Sequence, residues 1–181
     1  MNEFKDNLAI NTSKRTFEEA CVGADVLIGV SAPGVFTEKI LKSLNKDPII
    51  FAMANPEPEV RPEIAKAVRP DCIIATGRSD YPNQINNVMC FPFLFRATLD
   101  TRSKQINEEM KMAASLALAQ LAKKPVPEEV KQAIPGREFN FGRDYIIPTP
   151  FDPRLIFELP VAIAKAAMDS GAATYFIKDF Q

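Results

Sequence analysis

VLIGVS (residues 26–31) is the first of three apolar stretches that begin 23 residues apart; IIFAMAN (49–55) and CIIATGR (72–78) follow it. Each stretch runs through four to six apolar residues and then reaches a polar one. Apolar runs without polar alternation are typical of strands that are buried on both faces of a parallel sheet. Helical segments lie between the runs, so the repeat predicts βα units rather than hairpins.

Polar side chains stand at the end of each predicted strand. Ser31 follows the first strand, Asn55 the second and Arg78 the third. The carboxyl ends of parallel strands meet at one edge of a sheet, and ligands bind in the crevice outside that edge. The sequence therefore predicts a small-molecule site there.

Caps and apolar periodicity predict the helices. Thr16 and Glu19 fit a capping box, Thr37 fits an N-cap, and Asp152 is expected to cap the last helix with Pro153 at its first position. The predicted helical ranges are 17–22, 37–45, 62–68, 92–99, 106–121, 127–133 and 153–170.

Composition excludes several classes of protein and of site. A net charge of −1 gives no electrostatic case for nucleic acid or an anionic membrane, and no apolar run approaches the roughly 20 residues that span a bilayer. Cys21, Cys72 and Cys90 have no paired or metal-type spacing, which favours reduced thiols and a cytoplasmic location. The chain has no histidine, so it holds no Ser-His pair and no imidazole ligand for zinc.

The predicted fold class is α/β, part of a Rossmann-like, doubly wound parallel sheet followed by C-terminal helices. The complete fold carries a phosphate-binding G-x-G-x-x-G turn after a strand, but no G-x-G occurs among the seven glycines. Either the chain binds no dinucleotide, or it is the later half of a longer sequence.

Motifs in order along the chain resemble malic enzymes. ADVLIGVSAPG (24–34) is similar to the family's fourth-strand segment. Further stretches resemble the bacterial branch of that family: IFAMANP (50–56), IATGRSDYPNQ (74–84), NNV (86–88) ahead of FP (91–92), and YIIP (145–148) with FDPRL (151–155). The resemblance implies an NAD(P)-dependent, decarboxylating malate dehydrogenase that converts L-malate to pyruvate and carbon dioxide with a divalent metal, Mg²⁺ or Mn²⁺.

The resemblance also implies roles for individual residues. Asn55 and Asn87 correspond to amides that bind the substrate, and Ser31, Ala32, Asn55 and Asn86 correspond to residues that bind the cofactor. Neutral amides suit this task because they donate to carboxylates or carboxamides without titrating near neutral pH.

Each of these positions has a structural alternative. An asparagine before a proline is commonly a turn residue, as Asn55 would be, and Asn86 with Asn87 could cap a helix. Arg78 and Asp80 are weaker candidates that could form a surface ion pair.

Several residues that are characteristic of the family have no counterpart in this chain. The family's tyrosine and lysine acid–base residues, its acidic metal ligands and its phosphate-binding glycines all lie upstream of the matched region, so no catalytic residue and no metal ligand is expected in this chain. Residues 1–5 resemble an internal stretch of the longer enzymes, which points to a truncated gene product or an excised domain.

The predicted domains are residues 1–100, the later half of a dinucleotide-binding domain, and 101–181, a helical extension that packs on it. Without the other half, the first strand would expose an apolar edge and favour homodimers or poor stability. The fragment alone is expected to be inactive.

Two rivals stay open: a non-catalytic remnant that serves in assembly or regulation, and another α/β dehydrogenase with convergent motifs. NAD cannot be distinguished from NADP, because the selecting residue after the second strand is missing.

Overall fold

The computed structural model of the chain describes residues 6–180. Residues 1–5, whose resemblance to an internal stretch of longer enzymes is noted above, and Gln181 lie outside the described part. The α-helices are α1 (Phe17–Cys21), α2 (Glu38–Ser43), α3 (Pro62–Val68), α4 (Phe91–Asp100), α5 (Glu108–Ala122), α6 (Glu128–Ala133) and α7 (Leu155–Asp169). The strands are β1 (Val26–Gly29), β2 (Ile49–Ala52) and β3 (Ile73–Thr76), and a 3₁₀ turn covers Asn87–Met89.

The three strands form one parallel sheet in the order β1-β2-β3. Gly29 pairs with Ala52, and Ala52 pairs with Thr76, so the three strands end in register at one edge. A helix connects each strand to the next, which confirms the predicted α/β fold.

Helix α1 begins where the sequence predicts it. Thr16 accepts a hydrogen bond from the backbone of Glu19, whose side chain accepts one from the backbone of Thr16, so the capping box is formed. Thr37 caps α2 in the same manner through the backbone of Ile40. These local signals fix where α1 and α2 begin, and the helices pack against one face of the sheet.

That face holds the first hydrophobic core. Leu27, Ile50 and Ile74 lie side by side on adjacent strands, and α1, α2 and α3 cover them through Cys21, Ile40, Leu41 and Ala65. Burial raises the pKa of the Cys21 and Cys72 thiols, in keeping with their unpaired state.

The prediction that all three strands are buried on both faces is wrong for β1. Val26 and Ile28 point to the face opposite the helices and remain 47% and 61% exposed. Among residues 6–180 nothing packs over this part of the sheet, and side chains on a strand alternate between faces. We call this surface, formed by Val26, Ile28 and the following Val30, the open face.

The second core is entirely helical. Helices α4, α5 and α7 pack together around Ala97, Met110, Leu159 and Ile163, which are buried. A smaller cluster of Ala122, Val126, Val130, Phe139 and Tyr145 extends it beyond α6. Helix α4 ends at Asp100 but packs within this helical core. The domain boundary predicted at residue 101 stays a prediction.

Helix α7 begins later than predicted, at Leu155. Asp152 is not its N-cap: its carboxylate is buried and accepts hydrogen bonds from the backbone and the guanidinium of Arg154. A buried carboxylate needs hydrogen bonds or a cation to compensate it, and Arg154 supplies both.

Asn83 joins the two parts of the molecule. Its amide donates to the carbonyls of Ile74 at 3.0 Å and Arg143 at 2.7 Å, and its oxygen accepts from the backbone of Ile146 at 2.9 Å. The side chain is buried, so these three bonds fix β3 against the 143–146 segment. In the part of the chain that is described, no helix has the length and apolarity needed to span a bilayer.

Candidate functional site

The loops that follow β1 and β2 begin side by side. The ladder continues one step past the strands, since the backbone of Met53 donates to the carbonyl of Gly29 at 3.0 Å. Beyond this bond, both strands lead into loops. The loop after β1 carries Ser31 and Ala32, and the loop after β2 carries Ala54 and Asn55. In open parallel sheets, ligands bind outside the carboxyl ends of the strands, which is where these loops begin.

A later segment returns to the same edge beside β3. The backbone of Ile85 donates to the carbonyl of Thr76 at 2.8 Å, and Gln84 forms a parallel bridge with Thr76. Asn86 therefore lies next to Gly77, to whose carbonyl its amide donates at 3.4 Å. The fold thus brings Asn86 and Asn87 to the edge at which Asn55 lies.

Two of the predicted site residues present free amides. The side chains of Asn55 and Asn87 are exposed, and neither has a hydrogen-bond partner among residues 6–180. The Asn55–Pro56 peptide bond is cis. Both amides are available to donate to and accept from a ligand.

Asn86 has a structural role. Its side-chain oxygen accepts from the backbone of Val88 at 3.0 Å and so caps the 3₁₀ turn, while its amide nitrogen donates to Gly77. This is the capping alternative that the sequence leaves open for the pair. A cofactor contact by Asn86 stays a prediction.

Ser31 and Ala32 are exposed at the end of β1, but the polar groups of Ser31 are occupied. Its backbone N–H donates to Oε1 of Glu59 at 2.7 Å, and its hydroxyl donates to the same oxygen at 3.1 Å. A cofactor would meet the outer surface of this residue and the adjoining Ala32, and that contact also stays a prediction.

Glu59 is the polar residue at this edge that sequence reasoning missed. Its side chain is completely buried, and Oε2 accepts from the backbone of Ala54 at 3.0 Å. Burial raises the pKa of the Glu59 carboxyl, but hydrogen bonds from the Ser31 and Ala54 backbones and the Ser31 hydroxyl outweigh it, so the net pKa is lowered. The group is therefore an ionised carboxylate in the interior.

One signal in the sequence points to this carboxylate. Gly29 interrupts an otherwise bulky strand, and glycine inside a strand often marks a close approach of another group. A Cβ atom at Gly29 would stand 2.5 Å from Glu59 Oε1 and 2.6 Å from the ring of Phe36. The signal shows that something is close, not which residue it is.

Arg78 and Asp80 form the surface pair given as their alternative. Arg78 contacts Asp80 at 2.7 Å and Glu57 at 2.6 Å, and its guanidinium lies 5.3 Å from the ring centre of Tyr81. The hydrogen bond from Arg78 lowers the pKa of Asp80. With its charge met by two carboxylates, Arg78 connects the loops after β2 and β3.

The donor set for a metal is absent from the described residues. No group of three or more histidine, cysteine, aspartate or glutamate side chains stands close enough to hold an ion within residues 6–180. The two amides that are free at the edge suit a carboxylate or carboxamide ligand better than a divalent cation, which prefers carboxylate oxygens.

Comparison with known proteins identifies the family to which this chain is similar. A family model described as "Malic enzyme, NAD binding domain" matches residues 3–135. The NADP-dependent malic enzyme of Halomonas elongata is 52% identical over 173 residues, which are 96% of this chain and 41% of that protein. The NADP-dependent malic enzyme of Salmonella typhimurium is 54% identical over 181 residues, 99% of this chain and 24% of that protein.

Solved structures agree. A malic enzyme from Pyrococcus horikoshii matches with a TM-score of 0.75 and 38% identity, over 89% of this chain and 34% of that one. A malic enzyme from Entamoeba histolytica matches with a TM-score of 0.77 and 36% identity, over 92% and 32%. The chain thus spans well under half the length of these relatives.

Proposed function

The chain belongs to the malic enzyme family, and we propose that it forms one wall of the pocket in which such an enzyme converts L-malate to pyruvate and carbon dioxide while reducing NAD or NADP. The observation that carries the proposal is the pair of exposed, unpartnered amides of Asn55 and Asn87 at the carboxyl edge of the sheet. Free amides at this position are what a dicarboxylate and a nicotinamide carboxamide require.

In this proposal the residues divide between two ligands. Asn55 and Asn87 bind the malate carboxylates, and Asn55 also reaches the nicotinamide end of the cofactor. Ser31, Ala32 and Asn86 line the cofactor side. The cofactor, when bound, would accept a hydride from the substrate, and the contribution of these residues is orientation rather than proton transfer.

The catalytic acid and base and the ligands of the divalent metal (Mg²⁺ or Mn²⁺) belong, in this proposal, to residues outside the chain. No step is assigned to a metal held by residues 6–180, since they offer no ligand cluster. Curated relatives include enzymes named NADP-dependent and one from Rhizobium meliloti named NAD-dependent, at 49% identity, so both cofactors belong in the test.

A hybrid enzyme tests the proposal. This chain replaces the matching 173-residue segment of the Halomonas elongata enzyme, and malate-dependent reduction of NADP and NAD is measured. We expect an active hybrid whose kcat/KM for malate falls roughly a hundredfold in Asn55→Ala and Asn87→Ala, because misplaced substrate loses that order of rate. Equal activity in the parent hybrid and in both variants would contradict the proposal.

The matched control is Asn140→Ala. Asn140 is also exposed, but its loop lies at the opposite edge, where the neighbouring Arg143 contacts Asp47 just before β2. Its kcat/KM is expected to stay within about twofold of the hybrid. The 181-residue chain alone is expected to give no malate-dependent NADH or NADPH, and turnover by it would contradict the assignment of catalytic groups elsewhere.

The open face favours a second property, homo-oligomerisation in the cytoplasm, most simply as a dimer. Val26, Ile28 and Val30 expose apolar surface on an edge strand, and such surfaces associate unless covered. This property would also suit the rival reading as an assembly module. Light scattering should show association that Ile28→Lys weakens, while a clean monomer with a cooperative melt would count against it.

A further inference from the structure

Glu59 is an ionised carboxylate buried without a cation. Its side chain is 0% exposed, and none of the ion pairs of residues 6–180 includes it. A buried charge is costly unless hydrogen bonds compensate it. Three N–H or O–H groups do so here, and they come from the two loops that follow β1 and β2.

The carboxylate occupies the position at which the sheet opens. Gly29 pairs with Ala52, so Ser31 and Ala54, each two residues further on, are the next register partners that the ladder would join. Instead, each backbone N–H donates to one oxygen of Glu59. The carboxylate thus links the two loops directly after the ladder ends, with one oxygen on each.

The backbone of Glu59 strengthens the same connection. Its carbonyl accepts a hydrogen bond from the backbone of Phe36 at 3.3 Å, which ties the far end of the 31–36 loop to the 54–59 loop. Gly29 leaves the room that the side chain needs, because any Cβ there would overlap it. Side chain and backbone together fix one loop against the other.

The residues held by Glu59 adjoin the predicted ligand contacts. Ala32 follows Ser31, and Asn55 follows Ala54, so the spacing between the two loops sets the spacing between the cofactor side and the substrate side. We propose that Glu59 is a positioning residue that holds these two loops at the separation a bound dinucleotide requires. This inference rests on the proposed function of the edge.

A pH titration of the 181-residue chain by ¹H–¹⁵N NMR tests the link itself. The amide protons of Ser31 and Ala54 should shift together, with one midpoint below the ordinary value of a glutamate, because one carboxylate accepts from both. Glu59→Gln should abolish the shared transition, while Glu57→Gln should retain it. Glu57 is the matched control, an acid of the same loop whose partners are Arg61 and Arg78.

A second titration, with NADP⁺ on the hybrid enzyme and on its Glu59→Gln and Glu57→Gln variants, tests positioning, because the hybrid supplies the phosphate-binding turn for which this chain has no G-x-G. We expect shifts at residues 31, 32 and 55, and an affinity roughly tenfold lower in Glu59→Gln but within about twofold of the parent in Glu57→Gln. A merely structural carboxylate would alter stability without changing affinity in the folded variant.

The outcomes separate the two claims. Independent or absent transitions at Ser31 and Ala54 overturn the inference, and the wild-type titration decides this even if Glu59→Gln fails to fold. Unchanged affinity in a folded Glu59→Gln overturns it as well. If NADP⁺ shifts none of residues 31, 32 and 55 in the hybrid, the proposed function of the edge fails, while a shared transition still upholds Glu59 as the link between the loops.

Discussion

The sheet region and the helical region bury their apolar residues to different extents. In the helical region, the facing sides of α5 and α7 close on each other, and Met110, Leu159 and Ile163 are completely buried. In the sheet region, Ile50 is completely buried on one face, while Ile28, on the opposite face, is 61% exposed. Apolar side chains of similar size thus have different fates, and the difference is whether a covering element is present.

The largest expected effect is in the helical core. Leu159→Ala should lower the free energy of unfolding by about 2–5 kcal/mol, since it leaves a cavity in a closed core. Ile28→Ala, on the open face, should cost less than about 1 kcal/mol. Urea denaturation followed by circular dichroism measures both. Equal costs would mean that the open face is covered in solution, for example by a second copy.

The junction between the regions should respond next. Asn83→Ala removes three buried hydrogen bonds and should cost about 2–4 kcal/mol, because the carbonyls of Ile74 and Arg143 and the N–H of Ile146 lose their partner. Asn83 has a φ of 53°, a value that glycine tolerates. Asn83→Gly removes the same bonds without backbone strain, so a similar loss in both variants assigns the effect to the bonds.

The stability of the sheet region should depend on acidic pH through Glu59. The pKa of Glu59 is lower in the folded chain than in the unfolded chain, so its ionised form adds stability above the unfolded pKa. That contribution is lost as the pH falls through the lowered folded pKa. The free energy of unfolding, measured over acidic pH, should fall less steeply in Glu59→Gln than in the parent chain. Equal slopes in the two proteins would contradict the assignment.

The smallest effect on stability is expected at the site. Asn87→Ala removes an exposed amide without an internal partner, so the free energy of unfolding should change by no more than about 0.5 kcal/mol. Asn86→Ala should cost about 1 kcal/mol, because it removes a cap. Thermal unfolding of the two variants separates a residue kept for its ligand from one kept for the fold.

Much of the architecture could be predicted because its causes are local. The capping box at Thr16, the cap at Thr37 and the apolar runs that became β1, β2 and β3 all depend on neighbours in the chain. The site edge could be predicted too, since parallel strands joined by helices end on one side of a sheet.

Other features depend on residues far apart in the sequence. Glu59 lies in a proline-rich loop whose composition suggests a solvated acid, and its burial arises from Ser31, 28 residues earlier. The exposure of Ile28 depends on which element covers the sheet, and an apolar run carries no information on that.

The sequence by itself determined the strands, their parallel order, the caps of α1 and α2 and the family, because propensity, periodicity and motif order are properties of short segments. Only the tertiary structure decided which amides stay free, which face of β1 stays open and which carboxylate is buried where the strands part. Those outcomes depend on packing and on the pairing of distant backbone groups, which a linear pattern does not specify.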